Sequence, residues 1–132
     1  MAEFALLCPL FLFLVFLSIT FAVIGQAALA VSQLAYTGAR YAAVHPELTA
    51  TQVQSYIKSG VVGSPTITGS GGTHLTVTVL PAASSGQPVS VTVAYDLDSN
   101  ALVSMMKDAF TSLGLNTTFP TTLSATQIAA SE

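Results

Sequence analysis

The feature that most constrains this chain is a long gap in its charges. Between Glu3 and Arg40 there is no Asp, Glu, Lys or Arg. Phe4 to Val31 is nearly all apolar, with Leu6, Leu7, Leu10 to Leu17, Ile19, Phe21, Val23 and Ile24 at its centre. About 20 apolar residues span a bilayer core as a helix. This run is long enough, and it is too apolar all round for a surface helix. A secretory signal has a shorter apolar core behind a basic segment. Here no Lys or Arg precedes Arg40, so the run reads as a retained helix whose leader has been removed or lies outside this numbering.

The helical pattern continues beyond the apolar run. From Gln26 to His45, Gln26, Gln33, Thr37 and Arg40 fall on one stripe. Val31, Leu34, Ala35, Gly38, Tyr41 and Ala42 fall on another, at helical spacing. Ala27, Ala28, Ala35, Gly38 and Ala42 are small enough to admit another helix closely. Pro46 ends the pattern, because it restricts His45 and lacks an N–H. A helix from Phe4 to His45 is about 60 Å long, twice what a bilayer core requires.

After His45 the composition changes. Residues 46–132 read as a second unit, rich in Ser and Thr, 26 of 87 residues. Thr49 to Gln52 forms a capping box before the short helical face of Val53, Tyr56 and Ile57, which Gly60 can end. Leu75, Val77 and Val79 alternate with Thr76 and Thr78. Val89, Val91, Val93 and Tyr95 alternate with Ser90, Thr92 and Ala94. Both are half-buried strands, and the loop Pro81–Pro88 joins them as an antiparallel pair. Ser64–Thr68 is a shorter strand candidate. Leu102, Met106, Phe110 and Leu113 mark a second short helix, and Leu123–Ala129 a last strand with weak alternation. The fold class is therefore α+β: a long N-terminal helix (1–45) carrying a small antiparallel sheet in a head (46–132).

Glu3 is the charge that bounds the apolar run. A carboxylate in an apolar setting needs a partner or a proton. If the chain starts near Met1, in a stack of helices it can pair with the terminal ammonium of a neighbour and fix one axial register, as a lone polar residue does in a coiled coil. Its alternative is a headgroup position on an ordinary anchor. Pro9 removes one backbone donor. It either loosens the preceding turn or sits near the helix start, where the first N–H groups have no partner anyway.

Glu3-Phe4-Ala5-Leu6-Leu7-Cys8-Pro9 resembles the characteristic start of TadE-like pseudopilins and related Tad/Flp pilus proteins, with Pro six positions after Glu and a Leu-rich helix beyond. Ala39-Arg40-Tyr41-Ala42-Ala43 is similar to that family's helix end. Val89 to Tyr95 is similar to its strand ending in an aromatic residue, and Leu123 to Thr126 to its closing strand. The resemblance implies a pilin-like fold and a structural role; an enzyme is not expected, because the residues show no convergent acid, base or nucleophile. It implies subunits that bundle their N-terminal helices into a helical filament, with Glu3, Phe4 and Pro9 at the assembly and register positions. It implies handling by a prepilin peptidase and by assembly machinery in the inner membrane, and an extracellular pilus afterwards. The family's Glu usually stands fifth, after a processing site at a Gly; here it stands third and no Gly precedes it. A major filament subunit and a minor priming pseudopilin remain alternatives. A solitary membrane-anchored binding module is a third, and it needs neither Glu3 nor the Gln26–His45 pattern.

The remaining motifs carry little chemistry. Three Lys+Arg against six Asp+Glu make no basic patch for nucleic acid. One Cys excludes an intramolecular disulfide, and Cys8 reads as a small buried apolar residue. Asp96, Asp98 and Asn100 match the first three ligand positions of a calcium loop, but Ala101 replaces the turn Gly and Lys107 the closing Glu. A polar turn capping the next helix explains them better. His45 and His74 lack zinc spacing, and His45 reads as the close of the long helix. No Gly-x-Ser-x-Gly elbow is present. Gly69–Gly72 reads as a turn, and Asn116-Thr117-Thr118 is a glycosylation sequon. No cofactor is expected.

Overall fold

A computed structural model describes residues 2–61, 74–80, 88–114 and 121–130. Side chains are described from Leu7 onward in the first helix and up to Gly60 in the second. The expected strand Ser64–Thr68, the turn at Gly69–Gly72, most of the loop Pro81–Pro88 and the sequon at Asn116 lie outside the described residues.

Helix α1 runs unbroken over Ala2–Val44, about 65 Å at ~1.5 Å per residue. It ends where Pro46 requires: the His45 N–H still reaches the Tyr41 carbonyl at 3.2 Å, and the bond that follows, from the Leu48 N–H to the His45 carbonyl at 3.2 Å, closes a turn. Helix α2 spans Ala50–Val61. At its start Gln52 Oε1 accepts from the Thr49 N–H at 2.9 Å and from Thr49 Oγ1 at 3.0 Å. The backward arm of the capping box is thus made, while the Thr49 hydroxyl bonds to Gln52 itself. Helix α2 passes through Gly60, one residue beyond the expected stop.

Strands β1 (Leu75–Leu80), β2 (Pro88–Asp96) and β3 (Thr122–Ala130) form one antiparallel sheet in the order β1-β2-β3. Leu75 pairs with Tyr95, Val77 with Val93 and Val79 with Val91; on the other side Tyr95 pairs with Leu123 and Val93 with Ala125. The period of two therefore puts Leu75, Val77 and Val79 of β1 and Val89, Val91, Val93 and Tyr95 of β2 on one face, with Leu80 alone of the large apolar residues turned outward. The opposite face is hydroxyl-lined, and Thr92 and Thr126 share a hydrogen bond of 3.0 Å across strands. A 3-10 turn (Leu97–Ser99) leads into helix α3, Ala101–Ser112. Its core residues are Val103 and Met106; of the expected row, Leu102 and Phe110 are half-buried and Leu113 is exposed.

The core lies between the sheet and α1. Among the described side chains of α1 the buried residues are Thr20, Ala27, Val31, Ala35, Gly38, Ala39, Ala42 and Ala43, a stripe at helical spacing. Of these, Ala27, Val31, Ala35, Ala39 and Ala42 join Val53 and Ile57 of α2 and the apolar face of β1 and β2 in one cluster, with Val91, Val93 and Tyr95 fully buried. Gln26, Gln33, Thr37 and Arg40 stay exposed on the opposite side.

Gly38 sets the distance between α1 and α2. A Cβ there would overlap Ile57 Cδ1, and would lie 2.9 Å from Ile57 Cγ1 and 3.4 Å from Val91 Cγ1. Ile57 is β-branched and has little room to turn. Gly25, by contrast, has no atom within 4 Å of such a Cβ. Two substitutions of the same chemistry should therefore differ in sign. Gly38→Ala is expected to lose about 1–3 kcal/mol to overpacking, partly offset by helix propensity. Gly25→Ala is expected to gain up to about 1 kcal/mol from propensity alone. Thermal unfolding of the detergent-solubilised chain, followed by circular dichroism, checks the pair.

Candidate assembly surface

The surface of α1 divides into two lengths. Leu7 to Phe16 is exposed along its length: Leu10, Phe11, Leu12 and Leu14 are all more than half open, and Phe13 is less so because its ring meets Phe110 of α3, centre to centre 5.7 Å. From Leu17 onward one face is covered by the head. The exposed length is all apolar apart from Cys8 and Pro9, and water is a poor solvent for it. Its next polar groups are internally satisfied. Ser18 Oγ donates to the Leu14 carbonyl and Thr20 Oγ1 to the Phe16 carbonyl, each at 2.9 Å. Higher on the helix, Ser32 and Thr37 repeat the same bond to the residue four before.

Among the expected assembly residues, Glu3 and Phe4 lie within α1, with side chains outside the described residues. Pro9 lies inside the helix, a full turn and more beyond Ala2. It is not among the first-turn positions whose N–H groups go unpartnered, so the Ala5 carbonyl loses its usual donor. Of the two readings of Pro9, the interior one matches this placement.

The small residues expected to receive a neighbouring helix face elsewhere. Ala27, Ala35, Gly38 and Ala42 are buried beneath the chain's own sheet and α2, and Ala28 is half-buried. Their lack of bulk lets the head approach α1 closely. The periodicity was the same for either partner, so the sequence pattern alone did not distinguish an internal sheet from an external helix. Cys8 is exposed and free; the chain itself does not bury it.

The calcium candidates are engaged in local structure. Asp96 Oδ1 accepts from the Asp98 N–H at 3.0 Å and caps the 3-10 turn. Asn100 Oδ1 accepts from the Leu102 N–H at 3.0 Å and caps α3. Asp98 meets Lys107 Nζ at 3.2 Å. Among the described residues, no group of three or more His, Cys, Asp or Glu is placed to hold a metal. At the far end of α1 a groove of about 360 Å³ lies between Tyr36, Arg40 and Val44 on the helix and Gln127 to Ala130 on β3. Tyr41 stacks on Tyr56 with ring centres 3.9 Å apart and lies 4.9 Å from the His45 ring, tying α2 to the helix end. His45 Nδ1 is 3.1 Å from Glu47 Oε1. The Glu47 carboxyl is held below its ordinary pKa by its own backbone N–H and, second, by His45.

The fold and this surface define a class: an α+β head packed on one half of a long helix whose other half is apolar and largely uncovered. Residues 1–40 match the family model described as TadE-like protein. The match supports a TadE-like, Tad pilus-associated protein, and it covers the apolar run and the helix as far as Arg40. No curated protein and no solved structure matches the chain.

Two measurements check the local chemistry. Asn100→Ala removes the α3 cap and is expected to lower stability by about 1–2 kcal/mol in denaturant unfolding. A carboxylate with a depressed pKa adds stability above its unfolded pKa and loses it as pH falls through the folded one. Glu47, followed by NMR, is expected to titrate below a free Glu. In His45→Ala its midpoint should rise only part of the way back, because the backbone N–H remains.

Proposed function

We propose that this chain is a structural subunit of a Tad-like type IV pilus filament, held in the inner membrane before assembly and carried outside the cell after it. The observation that carries the reading is the division of α1. Its upper half serves as a wall of the head's own core, while Leu7 to Phe16 remains apolar and exposed apart from the contact of Phe13 with Phe110. Such a length needs either lipid or other copies of itself, and a filament supplies them in turn.

On assembly each subunit exchanges lipid contacts for helix contacts. Lipid tails are as apolar as Leu, so packing and hydrogen bonding decide the exchange more than any hydrophobic gain. The surfaces open to neighbours are Leu7 to Phe16 and, above them, the outward stripe of Gln26, Leu29, Gln33, Tyr36 and Arg40. Glu3 is the register residue: with a neighbour's terminal ammonium within reach, one axial stagger satisfies it and the others leave it unpaired. The interior proline frees one carbonyl near that end, and a helix with a missing bond bends more readily to a neighbour's curve. The prepilin peptidase and the inner-membrane assembly machinery are its processing partners, and copies of itself its filament partners. The TadE-like match accommodates a minor priming pseudopilin as well; that subunit would sit in few copies at a filament tip.

Electron microscopy tests the reading. Purified wild-type protein is expected to form helical fibres, and Glu3→Ala to insert in membranes normally while fibre yield falls at least tenfold. Normal fibres from Glu3→Ala would remove the register role. Detergent-bound monomers from the wild type would favour a solitary anchor.

A further inference from the structure

The head does not wait for the apolar run to end. If Phe4 is the first residue in hydrocarbon, Phe4–Ile24 provides about 30 Å of helix, one bilayer core. Yet Leu17, Val23 and Ile24 are half-buried by the head and Thr20 fully so. Lower still, the Phe13 ring meets Phe110 of α3, centre to centre 5.7 Å. Phe13 lies about 16 Å along the axis from Ile24, close to the middle of the bilayer. At that depth α3 would carry Lys107 and Asp108 into hydrocarbon, where charged groups are costly. The docked α3 and a full span of α1 therefore exclude each other.

Helix α3 has the chemistry to resolve the conflict. Leu102, Met105, Ala109 and Leu113 form a row at helical spacing beside the core-facing Val103, Met106 and Phe110. Met105 and Leu113 are more than 60% exposed even with α3 docked. Ser104, Lys107, Asp108 and Thr111 occupy the remaining side. The apolar arc is wider than the head covers, and it borders the apolar length of α1. A helix with a broad apolar face and a Lys able to extend toward water lies well in the boundary between headgroups and acyl chains.

We infer that α3 is a bilayer-interface helix, and that lipid of the outer leaflet is its partner while α1 spans the membrane. In that state the end of α3 bearing Phe110 lifts from Phe13, and the row Leu102–Met105–Ala109 lies on lipid. The Phe13–Phe110 contact closes when α1 leaves the bilayer. The inference rests on the spanning reading of α1 given above.

The test uses the full chain with Cys8→Ser, reconstituted in phosphatidylcholine–phosphatidylglycerol vesicles. An environment-sensitive fluorophore is placed on Met105→Cys or, separately, on Leu14→Cys; both sites are exposed, so the label should not disturb folding. Lipids carrying a quencher high or low on the acyl chain report depth. Leu14→Cys is expected to be quenched more by the deep probe and Met105→Cys at least twofold more by the shallow one. Deep quenching at both sites overturns the inference, since α3 then enters docked. With Leu14→Cys quenched deeply, two results at Met105→Cys also overturn it: no lipid quenching with full access to iodide, which leaves α3 in water, and protection from both, which places a second copy on α3. Absence of lipid quenching at Leu14→Cys removes the spanning reading itself, and this inference with it.

Discussion

Everything in the head depends on one close approach, that of a three-stranded sheet to the small-residue face of α1. The sheet has one apolar face, and α2 alone is too short to cover it. Ala27, Val31, Ala35, Ala39 and Ala42 complete the cover, and Gly38 brings α2 in against the same face. Bulk at any of these positions would push the sheet away. Apolar area buried here stabilises at roughly 25 cal/mol per Å², and without α1 that face would be open to water. The long helix is thus a wall of the head's core as well as a stalk, and the core runs across the change in composition at residue 46.

That sharing limits what the helix can offer to anything else. One face above Leu17 is committed internally. The free surface is the opposite stripe and, below Leu17, all but the side where Phe13 meets Phe110. These differ in chemistry: the stripe carries Gln, Thr, Tyr and Arg40, whereas the lower length carries Leu and Phe. Contacts above can be hydrogen-bonded and specific; contacts below are made by shape. The scarcity of charge in the head has a related effect. Hydroxyls on the outer sheet face, such as Thr92 and Thr126, keep it wet without the long-range repulsion of like-charged neighbours.

The long helix, its end at Pro46, the two alternating strands and their antiparallel pairing were all legible in the residues. The β1 and β2 patterns were clear because Val and Thr alternate strictly. Strand β3 was weak for a physical reason: its core-side residues include Ala125 and Ala129, small because α1 comes so near, while the larger Ile128 faces out. In α3 the core residue Val103 lay beside the expected row, because the row chosen by hydrophobicity included the shoulder that the head leaves open. The polar turn at Asp96–Asn100 was legible from its missing Gly and Glu. What no sequence pattern could supply was the partner of the small-residue stripe. Helix faces lined with Ala look alike whether a sheet or a helix rests on them.

The hydroxyls along α1 have a consequence of their own. Ser18, Thr20, Ser32 and Thr37 each give their proton to a carbonyl one turn back, so none asks anything of its surroundings. A side chain that relied on water or on a lipid headgroup would make its free energy depend on where the helix stood, and every change of medium would break and remake bonds. Here those four hydroxyl protons are placed within the helix itself. At these four positions the helix asks no hydrogen bond of its medium, which leaves contact geometry to decide how they are covered.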